Sequence, residues 1–128
     1  MAESVRCVAL VVDDEPLVRD VATIVLRNKG YIVLSASNAA EALKLSRNRK
    51  EQIDVLITDV ELGDGDGIDL AGLIRADRPG IAILVISGKE EYKRLAREKR
   101  YAFLPKPFQA AQLLGFVHRL SRSAGAGV

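Results

Sequence analysis

Five polar side chains of this sequence are of the types that bind a metal ion and a phosphoryl group. They are the carboxylates of Asp13, Asp14 and Asp59, the hydroxyl of Ser87 and the ammonium of Lys106. Each stands at or just beyond the end of a short apolar run. Taken singly, each has an ordinary explanation, because carboxylates and hydroxyls commonly end strands or cap helices and a lysine is commonly solvated. Taken together, they indicate a shared site if the fold brings them close.

The chemistry of such a site follows from its charges. If Asp13, Asp14 and Asp59 share one cleft, they repel one another and raise each other's pKa values. A hard divalent cation relieves this repulsion, and Mg²⁺ suits a few carboxylates, a backbone carbonyl and water. The Asp59 carboxylate is then a candidate nucleophile that forms an acyl phosphate. Lys106 would pair with one phosphoryl oxygen and the Ser87 hydroxyl would donate to another, which predicts a phosphoacceptor site.

The apolar runs alternate with segments of helical spacing. The runs are rich in β-branched residues and predict strands of a buried parallel sheet at Cys7–Val12, Tyr31–Leu34, Ile53–Thr58, Ile81–Ile86 and Tyr101–Leu104. Helices are expected from Pro16 toward Gly30, from Asn38 to about Arg47, between Asp66 and Arg78, over Glu90–Lys99 and over Gln109–Leu120. Strand then helix, five times over, is the pattern of an α/β fold. Because ligands of such sheets bind beyond the carboxyl ends of the strands, the polar side chains should meet there.

The composition indicates one folded domain. A chain of 128 residues has the usual size of a single domain, and 28% charged and 48% hydrophobic residues are ordinary for a globular protein. A net charge of +2 is too small to favour nucleic acid or an acidic membrane by bulk attraction, so we expect neither as a partner. The single cysteine, Cys7, excludes a disulfide framework, and no apolar run is long enough for a bilayer or a signal peptide. We therefore expect a cytoplasmic domain.

Four motifs, in their order along the chain, carry a family resemblance. They are Leu-Val-Val-Asp-Asp-Glu-Pro at 10–16, Leu-Ile-Thr-Asp at 56–59, Leu-Val-Ile-Ser at 84–87 and Lys-Pro-Phe at 106–108. With them the chain resembles the receiver domain of two-component response regulators over about residues 5–121, which leaves 122–128 as a short flexible tail. The resemblance implies a flavodoxin-like receiver fold, a doubly wound five-stranded parallel sheet of order 2-1-3-4-5 with five helices.

The resemblance also implies roles for the site residues. Asp59 would accept a phosphoryl group from a histidine of a sensor kinase or of a phosphotransfer protein. Mg²⁺ would be held by Asp13 or Asp14, by Asp59 and by the backbone carbonyl of Glu61. Of the acidic pair, Asp14 matches the direct ligand and Asp13 the partner that acts largely through water. The domain would be no enzyme beyond assisting its own phosphorylation and dephosphorylation.

A conformational switch is implied as well. Ser87 would move toward the phosphoryl group and Phe103 would turn inward behind it, which biases a two-state loop. A cis peptide is expected at Lys106–Pro107. The altered surface, formed by the fourth helix, the fifth strand and the fifth helix, would contact a downstream protein, and a homodimer is left open.

Two residues at the mouth of the cleft would tune the lifetime of the acyl phosphate. We hypothesise that Glu61 and Lys89 form an ion pair that restricts the attacking water; the alternative is two independent surface charges worth almost nothing. Gly88 has no side chain to obstruct a small phosphodonor. Two residues depart from the family pattern. Gly63 stands where proline is usual, so the loop should be more flexible, and Pro105 is tolerable only because the fifth strand is an edge.

Two other classes of function use similar residues or a similar fold. A Mg²⁺-dependent phosphohydrolase with an aspartyl nucleophile uses similar parts, but its Asp-x-Asp motif follows the first strand, whereas Asp59-Val60-Glu61 follows the third. A receiver-like module that never takes phosphate has no need for carboxylates that repel one another. Whether the chain is a complete single-domain regulator or a piece of a hybrid kinase or multidomain regulator is left open.

Overall fold

Five parallel strands form the central sheet in the computed structural model, which describes residues 6–125. The strands are β1 (Val8–Val12), β2 (Ile32–Ala36), β3 (Val55–Asp59), β6 (Ala82–Ser87) and β7 (Ala102–Pro105). A small antiparallel hairpin, β4 (Glu61–Leu62) with β5 (Gly65–Asp66), follows β3. The helices are α1 (Pro16–Asn28), α2 (Ala39–Asn48), α3 (Gly67–Asp77), α4 (Glu91–Glu98) and α5 (Ala110–Gly125).

The strand order across the sheet is β2-β1-β3-β6-β7. If the two hairpin strands are left out and the five strands of this sheet are numbered along the chain, the order is 2-1-3-4-5, as predicted. The predicted doubly wound α/β fold is therefore confirmed. The chain runs outward in one direction from β1 to β2 and in the other from β3 to β7. The order therefore reverses between β1 and β3, and a crevice opens there beyond their carboxyl ends.

Two hydrophobic layers cover the sheet, because each strand points alternate side chains to opposite faces. Leu10 and Val12 pack toward α2, α3 and α4, with Ala42, Ile74 and Ala96 in the same cluster. Ala9 and Val11 pack toward α1 and α5, with Leu26, Leu113 and Val117. All five residues of β1 are buried, which explains why its sequence is apolar without interruption.

Local signals fix the starts of the helices. Pro16 is the first residue of α1, where its missing N–H costs nothing. Asn38 caps α2, and its side-chain oxygen accepts a hydrogen bond from the backbone N–H of Glu41 at 2.7 Å. The Glu41 carboxylate in turn accepts from the backbone N–H of Ser37 at 2.6 Å, one residue before the position in the usual capping box. Asp66 caps α3 by accepting from the backbone N–H of Ile68 at 2.6 Å.

The structure differs from the sequence-based prediction at three places. Strands β2, β3, β6 and β7 begin and end one or two residues later than predicted, so that Asp59 and Ser87 are the last residues of their strands. The hairpin was not predicted. Helix α5 continues to Gly125, so residues 122–125 of the expected flexible tail are helical, because residues 121–124 contain neither proline nor glycine to end the helix. Residues 5 and 126–128 lie outside the described part of the chain.

Pro105 lies in β7 at the edge of the sheet, as predicted, and Ser87 of β6 is its register partner. The backbone N–H of the next residue, Lys106, donates to the carbonyl of Ser87 at 2.9 Å, so the pairing resumes beyond the proline. Within residues 6–125, none of the helices combines the length and the apolar character that crossing a bilayer requires.

Candidate functional site

Three carboxylates converge at the carboxyl ends of β1 and β3. One carboxylate oxygen from each of Asp13, Asp14 and Asp59 lies within 4.8 Å of the others. Asp13 and Asp59 are buried, whereas Asp14 is exposed. The parallel register, which sets Val12 of β1 opposite Thr58 of β3, brings the residues that follow side by side. The predicted acidic cluster is therefore present, at the predicted edge of the sheet.

The ammonium of Lys106 bridges these carboxylates. Its Nζ lies 3.0 Å from Asp59 Oδ2, 3.1 Å from Asp13 Oδ2 and 3.1 Å from Glu15 Oε1. Lys106 lies directly after the end of β7 and its peptide bond to Pro107 is cis. Its side chain is only 17% exposed, so these interactions are partly shielded from water. The contact with Glu15 was not predicted, because nothing in the sequence beyond its adjacency to Asp14 distinguishes it from an ordinary helix-start residue.

Burial and charge shift the ionisation of this pair. Burial raises the pKa of Asp59 above its usual value, and the neighbouring Asp13 carboxylate adds to this effect, while Lys106 opposes it. Burial by itself lowers the pKa of Lys106, but the hydrogen bonds to Asp59 and Glu15 outweigh it, so that the pKa of Lys106 is raised. Lys106 is therefore a fixed positive charge at neutral pH, held against the carboxylates.

Backbone groups hold the two buried carboxylates in place. The backbone N–H of Glu15 donates to Asp13 Oδ1 at 2.9 Å, and the backbone N–H of Glu61 donates to Asp59 Oδ1 at 3.3 Å. Arg19 Nη1 donates to the Asp13 carbonyl at 2.8 Å. Each buried carboxylate thus uses one oxygen for the backbone and the other for Lys106. Within the described residues, no hydrogen bond reaches the Asp14 carboxylate, so its oxygens are available.

The donor set fits a magnesium ion. All the converging ligand atoms are carboxylate oxygens, which is the ligand type that Mg²⁺ prefers, and an exposed carboxylate leaves room for water molecules. Gly63 lies beside Asp14, and a Cβ added there would make only an ordinary contact, 3.7 Å from Asp14 Oδ2. Three clustered carboxylates and one ammonium leave a negative charge that a divalent cation would neutralise.

Ser87 ends β6 at the same edge of the sheet. It is buried, and its Oγ accepts a hydrogen bond from the backbone N–H of Lys89 at 3.0 Å. Its preceding residue, Ile86, is the register partner of Asp59. Phe103 lies further back on β7, opposite Val85, and packs half-buried against the core beneath α2, α3 and α4. The structure thus places Ser87 at the site and Phe103 behind it.

An ion pair joins Glu61 of β4 to Lys89, which lies in the segment between β6 and α4. Lys89 Nζ lies 2.6 Å from Glu61 Oε2, and both side chains are about half exposed. The hydrogen bond to Glu61 is the largest cause of the raised pKa of Lys89. Gly88, between Ser87 and this pair, is exposed and leaves open space, since a Cβ there would meet nothing within 4 Å.

The loop after Asp59 is anchored by two contacts that the sequence did not reveal. Gly67 lies so close to β3 that an added Cβ would stand 1.9 Å from the Asp59 carbonyl oxygen, and its N–H donates to the Val60 carbonyl at 2.7 Å. Asp64 accepts from the backbone N–H groups of Ala39 and Ala40 at 2.8 and 2.9 Å, at the amino-terminal end of α2. Those hydrogen bonds hold the pKa of Asp64 below its usual value.

Fold and site together define an α/β domain whose switch-point crevice holds an acidic cluster and a lysine. Comparison with known families agrees: the model of the response regulator receiver domain matches residues 9–118. The chain therefore belongs to the receiver domain family of two-component response regulators, and its acidic cluster fits a phosphoacceptor site. Receiver domains interact with histidine kinases and with downstream effector domains.

Individual relatives show how widely this unit is used. The sensor kinase CckA of Brucella abortus is 33% identical over 107 residues, which are 81% of this chain and 11% of CckA. The probable transcriptional regulatory protein TcrX of Mycobacterium tuberculosis is 29% identical over 124 residues, 91% of this chain and 50% of TcrX. The chain thus spans half or less of these curated relatives.

A solved structure gives a chemical parallel. The response regulator TrrA of Thermotoga maritima, determined in complex with Mg(2+)-BeF, is 29% identical and superimposes with a TM-score of 0.80. The alignment covers 89% of this chain and 98% of TrrA. The likeness therefore extends over nearly the whole of both chains.

Proposed function

We propose that this chain receives a phosphoryl group on Asp59 from a phosphohistidine of a sensor kinase or phosphotransfer protein. The observation that carries the proposal is the position of Lys106, whose ammonium touches both Asp59 and Asp13 inside the acidic cluster. A lysine in that position supplies a positive charge for a phosphoryl oxygen next to a carboxylate nucleophile. Family membership and the TrrA complex with Mg(2+)-BeF support the same chemistry.

The residues divide the work of the transfer. An oxygen of Asp59 forms a bond to phosphorus while the phosphorus–nitrogen bond of the donor breaks, and the imidazole nitrogen keeps the electron pair and takes up a proton. Lys106 pairs with a phosphoryl oxygen as its contact with Asp59 Oδ2 is given up. Asp13, Asp14, Asp59 and the backbone carbonyl of Glu61 would hold Mg²⁺, which when bound neutralises charge between the carboxylates and the phosphoryl group.

The response is a local rearrangement. The Ser87 hydroxyl turns to donate to a phosphoryl oxygen. The hydrogen bond that Ser87 Oγ accepts from the backbone N–H of Lys89 is broken in this movement. Phe103 follows inward, and the surface formed by α4, β7 and α5 changes its contacts with a downstream protein. The added charge of about −1.5 to −2 is enough to bias such a two-state element. In this account the domain acts in the cytoplasm and catalyses only its own phosphorylation and dephosphorylation.

Thermal melting with MgCl₂ and beryllofluoride tests the site. MgCl₂ alone should raise the Tm, since a ligand at a hundredfold excess over its Kd stabilises the folded state by about 2.7 kcal/mol. Beryllofluoride, a mimic of the phosphoryl group, should raise the Tm further, and only with MgCl₂ present. Asp14→Asn should weaken the response, whereas Asp20→Asn, a matched change on the exposed face of α1, should not.

Two outcomes contradict the proposal. A Tm that does not respond to MgCl₂ in the parent chain would favour a receiver-like module that never takes phosphate. Steady turnover of a generic phosphate ester would favour the phosphohydrolase instead. An acceptor that holds its phosphoryl group on Asp59 does not hydrolyse one ester molecule after another.

A further inference from the structure

The turn of the β4–β5 hairpin lies beside the acidic cluster. Leu62 of β4 pairs with Gly65 of β5, so Gly63 and Asp64 form a turn of two residues between them. A Cβ added to Gly63 would lie 3.7 Å from Asp14 Oδ2, which puts this turn against the exposed carboxylate of the cluster. A hairpin with two residues in each strand is too short to hold its own shape. The position of the turn therefore depends on contacts outside the hairpin.

The strands of the hairpin are held from the side of the core. Leu62 is buried in the cluster beneath α2, α3 and α4. The side chain of Asp66 caps α3 by accepting from the backbone N–H of Ile68 at 2.6 Å. The Gly67 N–H donates to the Val60 carbonyl at 2.7 Å. None of these contacts involves the two residues of the turn, which are exposed.

Asp64 fastens the turn to the start of α2. Its Oδ1 accepts a hydrogen bond from the backbone N–H of Ala39 at 2.8 Å, and its Oδ2 accepts one from the backbone N–H of Ala40 at 2.9 Å. Both bonds join a carboxylate to the positively polarised end of a helix, which makes them charge-assisted. Because both oxygens are engaged, the orientation of the side chain is fixed as well as its position.

Asp64 shares the capping of α2 with Asn38. The first N–H groups of a helix have no partner within it. Asp64 accepts from two of them, and the Asn38 side chain accepts from that of Glu41 at 2.7 Å. The two caps serve the same helix, but only Asp64 belongs to the hairpin. Asn38 therefore provides a matched control for any effect that comes from the stability of α2.

Glycine on both sides of Asp64 makes such a tether necessary. Gly63 and Gly65 restrict the backbone less than other residues do, so an untethered turn would sample many conformations. Gly63 is the second of the four residues from Leu62 to Gly65, and its φ lies outside the left-handed region. Proline is favoured at the second position of such turns, because its ring fixes φ. A proline would therefore fit at this position, where the chain has a glycine and a side-chain tether.

We infer that Asp64 is a positioning residue for the Mg²⁺ site, holding the hairpin so that the Glu61 carbonyl and the Asp14 carboxylate keep the arrangement that binds the ion. The inference rests on the proposed function, which assigns those two groups to Mg²⁺. Asp64 itself is no ligand, because both its oxygens are bound to α2 and it lies outside the acidic cluster. Mg²⁺ demands nearly ideal octahedral geometry, so a turn that moves should cost affinity.

Calorimetric titration of the full chain with MgCl₂ tests the inference. Asp64→Ala should raise the Kd for Mg²⁺ by roughly three- to tenfold, less than the loss of about 10- to 100-fold that follows when a group orienting a ligand side chain is removed. Asp64→Asn should fall between the parent and Asp64→Ala, because an amide oxygen still accepts one of the two hydrogen bonds. Asn38→Ala should lower the Tm as Asp64→Ala does, since each removes a cap of α2, but should leave the Kd unchanged.

Gly63→Pro in the Asp64→Ala background is the rescue. Proline restricts the turn without restoring a cap of α2 or the lost negative charge, so the double variant should recover most of the affinity for Mg²⁺. An unchanged Kd in Asp64→Ala would overturn the inference, and so would a Kd raised as much by Asn38→Ala. Equal losses in the alanine and asparagine variants, with no recovery by proline, would also overturn it, because Asp64 would then act through its charge alone.

Amide hydrogen exchange in EDTA gives a readout without the metal. Asp64→Ala should speed exchange in residues 61–66 and at Ala39 and Ala40. In the double variant the hairpin should exchange more slowly again, whereas Ala39 and Ala40 should stay fast because their acceptor is still missing. Exchange in residues 61–66 that does not respond to Asp64→Ala would contradict the tether.

Intact mass after treatment with acetyl phosphate and Mg²⁺, read on the same samples, keeps the two proposals distinguishable. A parent chain that binds Mg²⁺ and takes a phosphoryl group, with an unchanged Kd in Asp64→Ala, overturns the positioning role alone. A chain whose affinity for Mg²⁺ depends on Asp64 but that takes no phosphoryl group supports the positioning role and contradicts the proposed function alone. A parent chain that binds no Mg²⁺ contradicts both.

Discussion

Lys106 is the residue on which the electrostatics of the site depend. Its contacts with Asp13, Asp59 and Glu15, all at 3.0–3.1 Å, make one ammonium serve three carboxylates. Such an arrangement satisfies the buried oxygens of Asp13 and Asp59, which would otherwise repel each other at close range. It also holds the ammonium beside the carboxylate of Asp59, which the proposal makes the nucleophile. One side chain therefore stabilises the cluster of carboxylates and is positioned to pair with the phosphoryl group.

The ion pair between Glu61 and Lys89 makes a prediction about the lifetime of the acyl phosphate. The two side chains meet at 2.6 Å between β4 and the segment that follows β6, where they would restrict a water molecule approaching the phosphoryl group. Glu61→Ala and Lys89→Ala should each speed the loss of phosphate from Asp59. The double variant should be no faster than the faster single variant, because both changes remove the same interaction.

The measurement is the decay of the phosphorylated fraction after the phosphodonor is removed. Lys93→Ala is the matched control, since Lys93 lies on α4 away from Glu61 and pairs with Glu90 instead. Unchanged decay rates in Glu61→Ala, in Lys89→Ala and in the double variant would mean that Glu61 and Lys89 are two independent surface charges.

At the scale of elements, the placement of α3 against β3 depends on the absence of a side chain at Gly67. An added Cβ would lie 1.9 Å from the Asp59 carbonyl oxygen and 2.8 Å from Thr58 Oγ1. Gly67→Ala should therefore push α3 away from β3 and lower the free energy of unfolding by about 3 kcal/mol, the upper end of the cost of overpacking. Because the strained atoms belong to Asp59, phosphorylation should be impaired as well.

Gly72→Ala in the same helix is the control. Its added Cβ would make only an ordinary contact, 3.9 Å from the Tyr101 hydroxyl, and alanine is favoured over glycine in a helix by about 1 kcal/mol. Chemical denaturation should show the two alanines moving stability in opposite directions. Equal stability of Gly67→Ala and the parent would contradict the close approach of α3 to β3.

At the scale of the whole molecule, the sequence predicted the sheet and the acidic cluster because both follow from periodicity. Buried strands are apolar on both faces, and the polar residue that ends each run then falls on the carboxyl edge of a parallel sheet. This pattern predicts that Asp13, Asp59 and Ser87 lie at one edge of the sheet. The family resemblance added two expectations. One is the cis peptide bond at Lys106–Pro107, which the structure contains. The other is the inward turn of Phe103, which stays a prediction.

Contacts between residues distant in sequence were beyond this reasoning. The bonds from Asp64 to the start of α2 and the contact of Glu15 with Lys106 depend on how two elements come together, and no periodicity encodes that. The hairpin after β3 is only two residues per strand, too short to leave an alternating pattern. The positive φ of Arg100 was hidden because the sequence shows arginine where a glycine would have signalled it.

The central claim is that Asp59 is the phosphoacceptor, and intact mass spectrometry tests it most directly. The chain is incubated with acetyl phosphate and MgCl₂, beside an Asp59→Asn variant and an Asp69→Asn control on the exposed face of α3. The account predicts a gain of one phosphoryl group in the parent and in the Asp69 control, and no gain in Asp59→Asn. No gain in the parent, or an equal gain in Asp59→Asn, would contradict it.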